Sequence, residues 1–174
     1  MIEQSAGGVA VTQQDETLAR IKDAFRLYCR SEVGEGRRLL QELWGELGPD
    51  QAYHRSVTAH YLADTENDPE EELKWDLLAL EAVQGAATEP DASKPDPYAA
   101  AIRVFLPSLH LNLADDYRRM GDFEKARHHA EQGMESGGVL GLDHYGQTVR
   151  GGLVRVQTQI DELDMGPSII FDLD

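Results

Sequence analysis

One cysteine stands among 174 residues. Cys29 therefore has no partner within its own chain, and no intramolecular disulfide contributes to the fold. Basic residues are also scarce: 16 Lys and Arg face 32 Asp and Glu, giving a formal net charge of −16 and a pI near 4.6. So acidic a surface repels phosphate backbones and anionic bilayers, which argues against nucleic acid and membrane as partners. No apolar run approaches the roughly 18 residues of a membrane span. The opening MIEQSAGGVAVTQQ has neither the basic start nor the apolar stretch of an export signal. The expected location is the cytoplasm.

Catalytic signatures are missing as well. There is no GxSxG, no phosphate-binding loop, no GxGxxG and no Cys-His pairing. Glu70, Glu71 and Glu72 form an acidic run, but they fall at a helix start, where the positive end of the helix dipole accounts for them. No enzyme activity, metal or cofactor is expected.

What is present is helical periodicity on a chain 41% hydrophobic and 28% charged, the composition of a folded globular protein. Residues 1–14 show no periodicity and read as a flexible leader. A single helical domain is expected over 15–165, with a loop at 85–97 and a separate tail at 166–174. Thr12 and Asp15 have the spacing of a capping box, and Leu18, Ile21, Phe25 and Tyr28 follow at helical spacing. After Gly34 comes Leu39, Leu40, Leu43, Trp44 and Leu47, closed by Gly48 and Pro49.

Asp50 is the expected cap of a third helix. In it Tyr53, Val57 and Tyr61 mark one face, and Ala52, Ser56, Ala59 and Ala63 mark a small-residue face. Asp68 and Pro69 open a fourth helix with the stripe Leu73, Leu77 and Leu80. Three prolines in GAATEPDASKPDP make a loop. The helix after it contains Pro107, which is expected to kink or split it. Asp122 caps the next helix, with Phe123, Ala126 and Ala130 facing inward. From Asp143 onward Val149, Leu153, Val156, Ile160 and Leu163 step by 4, 3, 4 and 3, an amphipathic stripe that must be buried on a neighbour. The pattern predicts about seven helices in antiparallel hairpins. The turn at Gly34 and that at Asp68 lie 34 residues apart, the period of a tetratricopeptide repeat.

Residues 107–133, PSLHLNLADDYRRMGDFEKARHHAEQG, resemble one such repeat. Leu113, Ala114, Tyr117, Gly121, Asp122, Phe123 and Ala126 stand at its signature positions. Small Ala114 and Ala126 let paired helices approach, Tyr117 fills the space between them, and Gly121 permits the tight turn. Gly133 stands where alanine is usual, and no proline closes the repeat. The segment HYLADTENDPEEELKWDLLALEA resembles a divergent second copy. Over 15–163 the chain is similar to short tetratricopeptide repeat proteins of actinobacteria, a similarity that implies no particular activity. The resemblance implies an all-α, right-handed superhelical stack of helix hairpins in which the first helix of each pair lines a concave groove. Carried onto this chain, it places Ser108, Leu111, Asn112, Asp115, Arg118 and Arg119 in that groove, where Asn or Arg can hold a peptide backbone or carboxylate.

The expected function is that of a non-catalytic scaffold that binds a protein or peptide. The alternatives are a self-associating structural or regulatory homodimer and, third, an enzyme using Asp115, His110 and Arg119. The six histidines lack ligand spacing: His128 and His129 are adjacent and point about 100° apart on a helix. They read as solvent-facing or rim residues, and Cys29 as a structural or idle thiol. The tail MGPSIIFDLD, with Ile169, Ile170, Phe171 and Leu173 among acids, resembles a groove ligand. The chain's own groove, in cis or in trans, is one candidate receptor, with Arg118, Arg119 or Arg55 offsetting its charge.

Overall fold

The computed structural model describes residues 6–88 and 97–164, with side chains over 16–84 and 97–163. Among the described residues the chain is all-α: α1 (Ala6–Cys29), α2 (Val33–Glu46), α3 (Ala52–Ala63), α4 (Pro69–Thr88), α5 (Ala99–Arg119), α6 (Phe123–Ser136) and α7 (His144–Asp164), with one 3-10 turn at Gly137–Val139. No helix among them is long and apolar enough to cross a membrane. Within the first unit α1 packs on α2, α2 on α3 and α3 on α4, and within the second α6 packs on α7, neighbouring contacts consistent with a helical-repeat-like fold. The chain divides into two compact units between Arg103 and Val104, inside α5 and not in the loop at 85–97. Residues 89–96 of that loop and the tail lie outside the described residues.

Several boundaries differ from expectation. α1 begins at Ala6, so residues 6–14, expected as a leader, lie in the first helix, and Thr12 and Asp15 sit within it and not at its cap. No proline interrupts that stretch. α1 ends at Cys29, and the turn is made by Arg30, Ser31 and Glu32, so Gly34 is already in the first turn of α2. The cap of α3 is Gln51 and not Asp50; its Oε1 accepts from the Gly48 backbone N–H at 3.0 Å. α5 remains one helix through Pro107. Other signals hold. Asp68 accepts from the Glu70 N–H (3.0 Å), Asp122 from Lys125 (3.2 Å) and Asp143 from Gly146 (2.9 Å), each covering an otherwise unpaired donor at a helix start.

In the first unit Ile21, Ala24, Leu40, Leu43, Val57, Ala59, Leu62, Leu80 and Val83 form the core. The stripe of α4 runs through Leu73, Asp76, Leu80 and Val83, while Leu77 is exposed. A carboxylate takes the expected place of leucine because His60 Nδ1 lies 3.3 Å from Asp76 Oδ1, giving the buried charge a partner. Burial pushes the His60 imidazole down, but its hydrogen bond to Asp76 and the nearby charges of Asp76 and Asp64 prevail and hold it above its ordinary value. Aromatic rings fill the remaining gaps. Phe25 stacks on Tyr61 at 3.9 Å, and Trp44 meets Trp75 edge-on at 5.4 Å with Arg55 over its face. His54, expected at a rim, is buried edge-on against Tyr98.

In the second unit α5, α6 and α7 share a core of Ala114, Ala126, Ala130, Val156 and Ile160, against which Leu111, Tyr117 and Phe123 pack. Leu140, Val149 and Leu153 form a second cluster, also touching Leu111. The α7 stripe is thus buried as predicted, except Leu163, which is exposed. A Cβ at Gly133 would fall 2.5 Å from Leu153 Cδ2 and 3.4 Å from the Pro107 carbonyl oxygen. Glycine therefore replaces the usual alanine because α5, α6 and α7 approach too closely for a methyl group there.

Candidate functional site

The first concavity to consider in the second unit is a groove of about 340 Å³ between α5 and α7. Helical spacing places Leu111, Asn112, Asp115 and Arg118 on one face of α5, since Asp115 and Arg118 follow Leu111 by four and seven residues and Asp115 follows Asn112 by three. Gly152, Arg155, Val156 and Gln159 do the same on α7. Backbone proximity sets the groove's width. A Cβ at Gly152 would lie 2.5 Å from Leu111 Cδ2, so glycine lets Leu111 seat against α7.

Four of the six residues expected in the groove line it. The other two do not. Ser108 is buried, its hydroxyl donating to the Phe105 carbonyl at 2.8 Å and accepting from the Tyr145 hydroxyl at 3.0 Å. Arg119 is turned back on its own helix, bonded to Asp115 Oδ2 at 3.1 Å and to Asp116. Both lie on the same face of α5 as the lining residues; what sets them apart is their partners, the Phe105 carbonyl and Tyr145 hydroxyl for Ser108 and the Asp115 and Asp116 carboxylates for Arg119.

The groove's chemistry is mixed. Val156 is buried and Leu111 half-buried, giving an apolar floor. The amides of Asn112 and Gln159 carry both donor and acceptor atoms, as a peptide backbone requires. Arg118 is half-buried and doubly bonded to Asp115, its Nε at 2.9 Å and its Nη2 at 2.7 Å. Arg155 is exposed and enters no ion pair with a described residue. The α7 half was not foreseen as groove. Its signal was the Gly151-Gly152 pair inside an amphipathic helix, a mark of close backbone approach.

Beside the groove's helices, His110 Nδ1 and His129 Nδ1 lie 3.0 Å apart, and Tyr117 stacks on His129 at 5.5 Å. Burial, and then the neighbouring imidazoles, push both histidines down to about 4. Both are therefore neutral at pH 7, one donating and the other accepting. His110, Asp115 and Arg119, the trio weighed for catalysis, have these separate engagements: His110 with His129, and Asp115 with Arg118 and Arg119. No group of three or more potential metal ligands occurs among the described residues. Cys29 is exposed. In the first unit a concavity of about 230 Å³ on α1 and α2 is bordered by Arg20, whose guanidinium is already held by Glu46 at 2.9 Å.

Comparison with protein-family models, curated proteins and solved structures gives no match.

Proposed function

We propose that this chain is a non-catalytic scaffold of the tetratricopeptide type that holds a protein or peptide segment in the groove between α5 and α7. The observation that carries the reading is the groove's composition. It has an apolar floor at Leu111 and Val156, amides at Asn112 and Gln159 suited to a peptide backbone, and an exposed Arg155 that enters no ion pair with a described residue. These sit on close-packed helices, so the groove is preformed and binding need not order it. The resemblance supports the same reading, because α5 and α7 are the alternate helices that would line a repeat groove. Cytoplasmic location and the absence of nucleic-acid and membrane partners belong to the same proposal and rest on charge and composition.

The test is peptide selection against the full chain, followed by affinity measurement on Asn112→Ala combined with Arg155→Glu. At least a tenfold loss with unchanged circular dichroism is expected. An unchanged affinity refutes the assignment. Self-association is the second reading, favoured by Val154, 63% exposed on α7. A dilution series in light scattering separates it, since an obligate dimer keeps its mass when dilute.

A further inference from the structure

We propose that in the free chain the α5/α7 groove is occupied by the chain's own residues 168–174, so that an outside partner must displace an internal competitor. The inference rests on the groove reading above and names the groove's first occupant.

The geometry of α7 and the chain that follows it carry the argument. α7 ends at Asp164, and the sequence continues MGPSIIFDLD. Gly166 and Pro167 are of the residue types that stop helices, and the proposal has the chain reverse there. If it does, Ser168 starts back at the level of Asp164. Arg155 lies nine residues before Asp164, about 14 Å along the helix at roughly 1.5 Å per residue. Asp172 lies four residues beyond Ser168, about 13 Å in extended chain at roughly 3.3 Å per residue. The acid thus arrives level with Arg155, the groove's exposed cation.

Alternation along an extended segment matches the groove in cross-section. Ile169, Phe171 and Leu173 fall on one side, suited to the floor at Leu111 and Val156, and Ile170, Asp172 and Asp174 fall on the other, the two acids within reach of exposed Arg155. The three apolar residues on the floor side gain by burial. The remaining surface, on a chain of net charge −16, repels the two acids. The groove offers both an apolar floor and an open positive charge.

The experiment uses the full chain, wild type and carrying Ile169→Asp with Phe171→Asp, and a fluorescent peptide of sequence GPSIIFDLD as probe. The tail variant is expected to bind the probe at least tenfold more tightly than wild type, because its groove is vacated. Adding Arg155→Glu to that variant should abolish the gain. Methyl NMR signals of Leu111 and Val156 should shift between wild type and the tail variant, with circular dichroism unchanged. If the tail variant fails to bind the probe but still binds a peptide selected against the groove, the inference falls and the groove stands. If it binds neither, both fall. A wild-type mass twice that of the tail variant would mean exchange between copies and would overturn the intramolecular arrangement.

Discussion

Ser31 and Gly121 occupy the same left-handed turn, with φ of 73° and 80°. The hydrogen bonds around them repeat at an offset of 90 residues. Ser31 N–H donates to Tyr28 and Gly121 to Arg118, both at 3.1 Å. Glu32 donates to Leu27 at 3.1 Å and Asp122 to Tyr117 at 2.9 Å. The same offset pairs Ala24 with Ala114, Gly36 with Ala126, Leu40 with Ala130 and Leu43 with Gly133, all buried. The α1–α2 and α5–α6 hairpins therefore share one local design, although only the second displays glycine at its turn.

A serine in the left-handed region is strained, and glycine is not. Ser31→Gly should stabilise the chain by about 0.5–1 kcal/mol, and Gly121→Val should destabilise it by about 1–2 kcal/mol. Gly34, in the first turn of α2 with open space where its Cβ would be, is the contrast: Gly34→Ala should stabilise by about 0.5–1 kcal/mol. Urea denaturation of the three variants checks the signs. A destabilising Gly34→Ala would return the turn to Gly34.

Gly133 and Leu153 meet where α5, α6 and α7 converge. Gly133→Ala should cost about 1–3 kcal/mol through overpacking. Leu153→Asp, which buries an unpaired carboxylate, should unfold the chain or remove most of its stability. Thermal melts followed by circular dichroism decide. A Leu153→Asp variant that keeps its helicity and melting temperature would mean that the stripe is exposed.

The His110–His129 pair predicts acid sensitivity. Both fold with values near 4, against 6.5 for a free imidazole, so the unfolded chain takes up protons first. Their contribution is fully present above about pH 6.5 and is lost as pH falls towards 4. His110→Gln with His129→Gln should shrink the stability difference between pH 7 and pH 4.5. An undiminished difference would place the acid sensitivity elsewhere.

His60 and Asp76 predict the opposite trend. A raised folded value means that the contribution is complete below about pH 6.5 and fades as pH rises through that value. His60→Ala should destabilise the chain by removing one partner of a buried carboxylate, and the loss should be smaller when it is combined with Asp76→Leu. Additive losses in the double-mutant cycle would show that the two side chains are uncoupled.

Helix number, the caps at Asp68, Asp122 and Asp143, and the α7 stripe were legible because each depends on local chemistry. The α1–α2 turn was not, because Ser31 carries no turn signature and Gly34, two residues into α2, does. Leu77 was expected inside where Asp76 lies, since apolar periodicity cannot anticipate an acid matched to a histidine on another helix. Of the six α5 residues named from spacing and resemblance, four border the concavity between α5 and α7. Ser108 and Arg119 do not, because their partners, Tyr145 on α7 and Asp115 and Asp116 on α5, are tertiary and rotameric choices that periodicity does not carry.

Peptide binding between α5 and α7 is best probed by methyl NMR of the full chain with a selected peptide. Saturating peptide should shift Leu111 and Val156, which line the groove, while Leu27 and Leu39, which line the concavity on α1 and α2, stay in place. Shifts at Leu27 and Leu39 with Leu111 and Val156 unmoved would contradict it.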